Sequence, residues 1–497
     1  MAIFTRVKKR FYQDSLKLMR VSAEIKELPG VQQAFAFMAT ENNKKSRIQE
    51  LSMNDEVRAA GADDLVLIVE CETTEGDNIA HGNRMLDEFE NRIASTSSQN
   101  TNETSEARHT TLEQGKTHVN ANLAVISVPG PYAAVQAMTA LSQGMNVMLF
   151  SDNVSVKDEI MLKDYAATQD LLVMGPDCGT AIIDGVPLCF ANVVKKGNIG
   201  VIGASGTGTQ ELTVLLDAAD CGITHAIGTG GRDLSEEVEG RTMLAALKLL
   251  AQDPATEIIA IISKPPAAQV ADRVLEAIKA TGKPAVLAFL GTASAKITDN
   301  IYVAGTIEAA AAKLVAICKG NDPEKATVIY QRMTFEYSMW DKFLPSQKTI
   351  KGLFTGGTLA SEAKAILAGI NADIIDLGDD EYTRGALHPM IDPSNRNNHI
   401  IAAFTDESVA IVLCDVVLGY GSHPDPAGEL AKAIAAAKEK TNAHKIVIAV
   451  VVGTEADPQA KNSQIKALAA ADVLVLPSNQ YAAEVAANFA KKLQGVQ

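Results

Sequence analysis

The sequence predicts an α/β protein: tandem doubly wound parallel-sheet domains that follow a small α+β domain. From about residue 121 onward, short apolar strand patterns alternate with helical patterns, which is typical of parallel sheets covered by helices on both faces. Glycine-rich turns follow several of these strands directly and open the next helix. The 497 residues, 47% of them hydrophobic, allow three or four domains with a core each.

The small α+β domain is expected over residues 1–95, followed by a polar linker over residues 96–118 that is nearly free of apolar side chains. No chemical motif stands out in this domain. Its strands are predicted at residues 2–7, 31–38 and 64–71, and its helices at residues 14–28, 44–61 and 78–93.

The next unit, residues 119–194, is predicted to be Rossmann-like. Ligands of such sheets bind at the carboxyl ends of strands, where two loops of this unit fall. No dinucleotide fingerprint is present, and Cys178, with no histidine in register, is more simply a structural cysteine than a nucleophile. The candidate substrate-binding residues of these loops are Pro129, Gly175, Pro176 and Asp177.

A strand, a glycine-rich turn and a helix open the unit of residues 195–320. The turn, Ser205-Gly206-Thr207-Gly208-Thr209, directs free N–H groups, hydroxyls and the positive end of a helix dipole at one point, which favours phosphate. It matches neither the Walker nor the dinucleotide pattern, so an ordinary helix cap that binds nothing is the alternative. Gly230, Gly231 and Arg232 follow a later strand and are further substrate-binding candidates.

The same arrangement recurs about 150 residues further on, which indicates related domains. After a linker at residues 321–347, the third unit, residues 348–497, opens with a strand that leads into Gly356-Gly357-Thr358. Aligning the two turns places Glu211 opposite Glu362. The two helix N-termini are therefore expected to face one shared anion.

A polar loop at residues 376–400 separates the first strands of this third unit. Loops of this length in an α/β domain are commonly functional. Arg384 offers an anion a planar two-donor fork, and His388 is a candidate to move a proton near neutral pH. The alternatives are a loop fixed by internal salt bridges and a metal site, although the histidines lack a metal-ligand spacing.

Composition limits the class of partner. The net charge of −15 and the pI near 5.1 disfavour nucleic acid and membrane surfaces and leave small anions as candidate substrates. The six cysteines form no CxxC pair, and the N-terminus shows no apolar signal segment. A cytoplasmic protein with reduced cysteines and no bound metal is expected.

These motifs carry a resemblance. From Asn122 to about Ile317 the chain resembles the α-subunit of succinyl-CoA synthetase and other NDP-forming acyl-CoA synthetases. Together with the N-terminal domain and the DDEYTRGALHPMID loop, nearly the whole chain resembles the FdrA family of that superfamily. The resemblance implies a CoA-binding-type first unit, a succinyl-CoA-synthetase-like flavodoxin-type second unit, and a ligase-CoA-like flavodoxin-type third unit. The motifs that support it lie at residues 128–131, 175–178, 205–211 and 228–233.

One departure from those enzymes is decisive. They carry a phosphorylated histidine in a Gly-His-Ala-Gly loop, and here the corresponding residues 291–296 contain no histidine. A phosphohistidine relay through that loop is therefore excluded, and no ATP-grasp domain is recognisable. The resemblance assigns Glu211 to orienting that histidine, so Glu211 is now free for another catalytic role. The CoA site is expected to be vestigial, and no cofactor is certain.

The resemblance also implies an activity: a subunit of an oxamate carbamoyltransferase of allantoin and purine breakdown. That enzyme exchanges oxalurate and phosphate with oxamate and carbamoyl phosphate, and partner subunits in a hetero-oligomer are expected. The Ser-Thr-Arg-Thr-Arg signature of ordinary carbamoyltransferases is absent. Two other hypotheses are an acyl-CoA ligase of altered mechanism and a non-catalytic protein that binds an anionic metabolite.

Overall fold

The computed structural model describes residues 2–11, 13, 15–26, 28–40, 43–44, 55–71, 78–95, 111–333, 342–383, 387–441 and 444–494. The chain divides into two compact units. One comprises residues 1–108 with 385–387, and the other comprises residues 109–384 with 388–497. In the described part of the chain, no helix is both long and apolar enough to cross a membrane.

The first unit contains a three-stranded antiparallel sheet in the order β1-β3-β2. Its central strand is almost wholly buried, because both faces and both edges are covered. These elements match the predicted ones, except that residues 45–54 of the second predicted helix lie outside the described residues. The elements are β1 Ala2–Lys8, α1 Ser15–Lys26, β2 Val31–Met38, α2 Asp55–Arg58, β3 Leu65–Cys71 and α3 Asn78–Ser95.

The second unit begins with a helix and a small parallel sheet in the order β4-β5-β6. Alanine and leucine side chains on one face of the helix Gly130–Ser142 pack on this sheet. The elements are α4 Leu112–Val119, β4 Leu123–Ile126, α5 Gly130–Ser142, β5 Asn146–Leu149, α6 Val156–Thr168 and β6 Val173–Met174.

An eight-stranded, mostly parallel sheet follows in the order β13-β14-β12-β11-β9-β10-β7-β8. Its central strand β9 pairs in parallel with β10 and β11, so their carboxyl ends meet at one edge. The elements are β7 Thr180–Ile183, β8 Val186–Cys189, β9 Lys196–Gly203, α7 Gly206–Ala218, β10 Ile223–Gly228, α8 Arg241–Gln252, β11 Ile258–Ser263, α9 Ala268–Thr281, β12 Ala285–Phe289, β13 Ala295–Thr298, β14 Ile301–Ala304 and α10 Ile307–Cys318.

The last sheet is five-stranded and parallel, in the order β16-β15-β17-β18-β19. Helices α7 and α11 contribute to one buried cluster with side chains of both large sheets. The half of this unit that contains the eight-stranded sheet, up to residue 318, and the half from residue 349 onward therefore share a core. The elements are β15 Thr349–Phe354, α11 Gly357–Ile366, β16 Ala372–Asp376, α12 Asp380–Thr383, α13 Ser394–Thr405, β17 Val409–Val417, α14 Pro426–Glu439, β18 Ile446–Val452, α15 Lys461–Ala470, β19 Val473–Leu476 and α16 Asn479–Gln494.

The predicted fold class is confirmed, but two predicted boundaries differ from the structure. Of the linker predicted at residues 96–118, residues 96–110 lie outside the described residues. The rest forms α4, which Thr111 caps by accepting a hydrogen bond from Gln114 N. Strands β7 and β8, assigned by the sequence to the first Rossmann-like unit, instead extend the eight-stranded sheet, because Ile182 pairs with Ala226 of β10.

Candidate functional site

The two glycine-threonine turns lie against each other. Ser205 Oγ and Thr358 Oγ1 are hydrogen-bonded, and either atom can be the donor. A Cβ added to Gly356 would lie 2.7 Å from Thr207 Oγ1, and one added to Gly208 would lie 2.8 Å from Thr358 Cγ2. The threonine of each turn thus packs on the opening residue of the other, in an approximate two-fold arrangement. The structure brings the turns together, as their matched spacing predicts.

The two turns are stabilised in different ways. Ser205 caps α7 itself, because its Oγ accepts a hydrogen bond from Gly208 N at 3.1 Å. Gly356 has no side chain to cap α11. Instead, the carboxylate of Asp415 in β17 accepts hydrogen bonds from Thr355 N and Gly356 N, both at 2.8 Å. The second turn therefore depends on a neighbouring strand.

The paired turns leave donors free for an anion. The N–H groups of Gly206, Thr207, Gly357 and Thr358 have no hydrogen-bond acceptor within the described ranges. Thr180 adds a hydroxyl, since its Oγ1 has no hydrogen-bond partner among the described residues, the residue is only 3% exposed, and a Cβ on Gly206 would lie 3.3 Å from this oxygen. Free N–H groups at two helix N-termini are well suited to bind an anion such as phosphate.

One predicted donor has a different role. Thr209 is buried, and its Oγ1 donates a hydrogen bond to Ser205 O at 2.6 Å. The hydroxyl therefore supports the turn from inside the helix and does not face the free N–H groups. The sequence could not show this, because a threonine in the first helical turn can direct its hydroxyl to solvent or back to the preceding carbonyl.

Asp376, at the end of β16, borders the second turn. Its Oδ2 lies so close to Gly357 that a Cβ there would overlap it, and its Oδ1 accepts a hydrogen bond from Gly378 N at 2.9 Å. Burial raises the pKa of Asp376 to about 6, the nearby carboxylate of Asp415 adds to the rise, and Lys264 opposes it. This carboxyl group therefore holds a proton below about pH 6 and is a candidate acid.

His388 lies beside the same turn. Its Nδ1 accepts a hydrogen bond from Met390 N at 3.2 Å, and its ring lies 5.8 Å from that of Phe190. A Cβ on Gly378 would be 2.7 Å from His388 Nε2 and 3.3 Å from Asp376 Oδ1. Burial lowers the pKa of His388 to about 4. The imidazole is therefore neutral at pH 7, and its role in moving a proton stays a prediction.

The other predicted catalytic residue of this loop, Arg384, lies outside the described residues. Its role as the guanidinium that binds the anion stays a prediction. Lys264 follows β11, is exposed, and is the cation that lowers the pKa of Asp376. It is thus a described positive charge beside the second turn that sequence reasoning missed.

The substrate-binding candidates of the first two predicted units lie in loops that contact each other. A Cβ on Gly230 would overlap Pro176 O, which leaves no room for a side chain between the two loops. Burial raises the pKa of Asp177 to about 6, the carboxylates of Asp152 and Asp380 raise it further, and Arg232 lowers it. The influence of Asp380 shows that the start of the 376–400 loop faces these residues.

Arg232 is partly engaged in structure. One guanidinium nitrogen donates to Val154 O at 2.8 Å and lies 3.0 Å from a carboxylate oxygen of Glu159. About half of the side chain is still exposed, at 46%. Pro129 precedes α5, whose Gly130 abuts the backbone of Asp152. The substrate-binding roles of Pro129, Gly175, Pro176, Asp177, Gly230, Gly231 and Arg232 stay predictions.

Glu211 does not line an open cleft. The residue is 2% exposed, its Oε1 accepts a hydrogen bond from Asn479 N at 2.7 Å, and its Oε2 has no partner within the described ranges. Burial, followed by the charge of Glu362, raises its pKa well above the usual range. Its catalytic role also stays a prediction.

Cys178 is buried, and its Sγ donates to Thr180 O at 3.6 Å. Burial raises the pKa of this thiol to about 12, so it is not a thiolate at neutral pH. In the part of the chain that the structure describes, no group of three His, Cys, Asp or Glu side chains could hold a metal ion.

Sequence reasoning missed Thr180, Asp376 and Asp415 as parts of the site. Two of them carry a signal that could have been used: Asp376 ends an apolar strand, and Asp415 interrupts the apolar run of β17. An acidic residue within a buried strand needs partners, and these commonly lie at the carboxyl edge of the sheet. Thr180 carries no comparable signal.

Comparisons with known proteins agree with this architecture. Family models match residues 353–489 (CoA-ligase), residues 194–291 (CoA binding domain) and residues 1–109 (AllF, heavy metal-associated domain). The chain is 41% identical over 515 residues to the uncharacterized protein YahF of Escherichia coli (strain K12), covering 97% of this chain and 98% of YahF.

More distant relatives match part of the chain. The succinate–CoA ligase [ADP-forming] subunit alpha of Aquifex aeolicus (strain VF5) is 31% identical over 160 residues, which are 31% of this chain and 51% of that subunit. The chain thus spans about half the length of this relative. The dinucleotide-forming acetyl-coenzyme A synthetase 1 of Ca. Korarchaeum cryptofilum, solved with phosphate and ADP, matches with a TM-score of 0.30 and 16% identity, covering 75% of this chain and 84% of that one.

The sheets, the paired turns, the two CoA-related family models and the match to the succinate–CoA ligase subunit define a protein of the succinyl-CoA-synthetase-like, NDP-forming acyl-CoA synthetase class. Within that class, the chain belongs to the FdrA-like family that includes YahF.

Proposed function

We propose that the chain is a subunit of an oxamate carbamoyltransferase that interconverts oxalurate plus phosphate with oxamate plus carbamoyl phosphate. The observation that supports this most is the meeting of two helix N-termini, with free N–H groups, beside a neutral imidazole and a protonatable carboxyl group. Residues 291–296 offer no histidine for a phosphoenzyme, so transfer occurs directly between bound substrates.

The reaction needs an anion site next to acid and base groups. In the direction of phosphorolysis, a phosphate oxygen attacks the terminal carbamoyl carbon of oxalurate, and the bond from that carbon to the internal nitrogen breaks. The proton of the phosphate hydroxyl passes to a base, and the departing nitrogen of oxamate gains a proton. Neutral His388 fits the role of base, and Asp376 in its protonated form fits the role of acid.

Binding is assigned to the surrounding groups. Ser205, Gly206, Thr207, Gly357 and Thr358 hold the phosphate, with Gly208, Thr209 and Gly356 shaping the turns. Arg384 holds the substrate carboxylate through a two-donor fork. The loops of Pro129, Gly175, Asp177 and Arg232 enclose the amide end, and Glu211 acts from behind the first turn. Holding both substrates in one site removes much of the entropic barrier to a bimolecular step.

The experiment uses the chain purified with the partner subunits encoded beside it. Oxamate and carbamoyl phosphate are supplied without any nucleotide or CoA, and oxalurate and phosphate are measured. Equal amounts of the two products support the proposal. The absence of oxalurate with all partners present, or a requirement for nucleotide and CoA, contradicts it.

A second candidate is an acyl-CoA ligase of altered mechanism, which the matches to CoA-binding and CoA-ligase models favour. We expect CoA to bind weakly or not at all, because the histidine that couples CoA chemistry to the nucleotide is absent. Titration calorimetry of the full chain with CoA measures this. A micromolar dissociation constant would support the ligase and count against the carbamoyltransferase.

A prediction follows from the carboxyl group beside the second turn. Asp376→Asn should raise the affinity for inorganic phosphate roughly 10-fold at pH 7.5, because an ionised carboxylate close to the anion repels it by about 1.4 kcal/mol or more. Since the pKa of Asp376 is about 6, the wild-type affinity should approach that of the variant as the pH falls below 6. Calorimetry at pH 5.5 and 7.5 checks this.

The matched control is Asp373→Asn, on the same strand but largely exposed and paired with Lys351. Its phosphate affinity should equal that of the wild type at both pH values. If the ratio of the phosphate affinities of Asp376→Asn and the wild type were the same at both pH values, Asp376 would not be the titrating group beside the anion.

A further inference from the structure

The matched glutamates of the two turns bind the opposite halves of the molecule. Glu211, in α7, accepts a hydrogen bond from Asn479 N, the first residue of α16, at 2.7 Å. Glu362, in α11, accepts one from Ile307 N, the first residue of α10, also at 2.7 Å. Each turn-bearing helix thus carries a carboxylate that caps the last helix of the other half.

The N-cap residues of the two capped helices also form hydrogen bonds to the opposite half. Thr306 Oγ1 donates to Gln480 Oε1 at 2.6 Å, and Ser478 Oγ donates to the carboxylate of Glu308. Thr306 and Ser478 cap α10 and α16, and Glu308 and Gln480 lie two positions after them. Two matched pairs of hydrogen bonds therefore obey the same approximate two-fold relation as the turns.

These side chains are buried, and their charges are unequally compensated. Glu308 accepts hydrogen bonds from two nitrogens of Arg332, at 2.8 and 3.1 Å. Glu362 is 1% exposed, and its hydrogen-bond donors among the described residues are neutral: Ile307 N and Asn479 Nδ2. In the part of the chain that the structure describes, Glu211 has one donor, Asn479 N, and Lys461 is a positive charge that acts on it. The arrangement favours a protonated carboxyl group over two carboxylates.

The direction of the pKa shifts agrees with this. Burial raises the pKa of Glu362 to about 7, Glu308 and Glu484 raise it further, and its two donors oppose the rise. Glu362 also lines a cavity of about 610 Å³ beside residues 291–296. Lys296, Lys313 and Glu324 are the other charged side chains that line the cavity.

We propose that Glu211 and Glu362 are positioning residues: each caps the last helix of the opposite half, and together they hold the two anion-binding turns in register, most firmly when the pair carries a proton. Each glutamate lies six positions after the start of its turn, about 9 Å along the helix. A shift of either cap therefore moves a turn. The role of Glu211 is then to position the turn, and this part rests on the proposed function.

The first experiment measures urea unfolding of the full chain between pH 5.5 and 8.5. Carboxyl groups with a raised folded-state pKa stabilise the protein while protonated, and this stability is lost as the pH rises. The wild-type midpoint should therefore fall with rising pH more steeply than that of the double variant Glu211→Gln/Glu362→Gln, which keeps the acceptor oxygens without titrating. The control Glu276→Gln, on an exposed residue, should follow the wild type. Equal slopes for the double variant and the wild type would overturn the proposal.

The second experiment measures the affinity for inorganic phosphate by calorimetry. Glu362→Ala should weaken it about 10-fold, whereas Glu362→Gln, which preserves the cap, should stay within about two-fold of the wild type. Unchanged affinity in Glu362→Ala would overturn the positioning role. If the wild type itself fails to bind phosphate, the proposed function fails, while the unfolding experiment still decides whether the two glutamates hold the halves together. If Glu362→Ala does not fold, the Gln variants carry the test.

Discussion

His388→Ala should lower kcat for carbamoyl transfer by about 100-fold or more while the fold stays intact, a loss typical of removing a general base. The imidazole is buried beside Gly378 and Asp376, and burial lowers its pKa to about 4, so it is neutral and ready to accept a proton at pH 7. The measurement is steady-state kinetics of the complex with all partner subunits, with circular dichroism to verify the fold.

The pH profile gives a second readout of the same assignment. Because the neutral imidazole is required, protonation of His388 should reduce the wild-type kcat/KM only as the pH falls toward 4. The control is His225→Ala, a histidine in β10 whose Nδ1 accepts a hydrogen bond from Asp184 N. That variant should keep its kcat. Near-native turnover of His388→Ala would show that the histidine is structural.

Asp415→Ala should destabilise the protein by about 3 kcal/mol or more, because it leaves buried donors without an acceptor and removes the carboxylate opposite Arg396. Both residues are buried, and the carboxylate accepts hydrogen bonds from Thr355 N, Thr355 Oγ1 and Gly356 N. Loss of these bonds releases the second turn, so phosphate affinity should fall as well. Urea unfolding at pH 7 measures the change.

Asp415→Asn keeps one acceptor oxygen and should be less destabilising than Asp415→Ala. Asp373→Ala, at a largely exposed position of β16, should change the free energy of unfolding by less than about 0.5 kcal/mol. A loss below about 1 kcal/mol in Asp415→Ala would mean that this carboxylate does not hold the second turn.

Local patterns in the sequence were sufficient to predict most strands and both turns. The apolar runs of β9 and β15 lead directly into glycine-rich segments, and such a sequence specifies strand, turn and helix without help from the rest of the chain. The equal spacing of Glu211 and Glu362 from their turns also predicted that the two halves are related. Local patterns and their spacing along the chain are thus sufficient to predict much of the architecture.

Contacts between distant segments could not be predicted in this way. The cap that Asp415 gives to the second turn spans about 60 residues, and the bond from Glu211 to Asn479 spans 268. The burial that makes His388 a weak base depends on neighbours such as Phe190. The pairing of β7 with β10 likewise depends on which sheet edge is free, which local propensity does not encode.

The most direct test of the shared anion site is a double-mutant cycle on phosphate binding, with Ser205→Ala, Thr358→Val and the double variant compared with the wild type by titration calorimetry. We expect one phosphate per chain in the wild type and an affinity lower by about 10-fold or more in each single variant. The double variant should lose less than the product of the single losses, because the two hydroxyls are bonded to each other and serve one site. Two phosphates per chain, or affinities unchanged by either substitution, would contradict it.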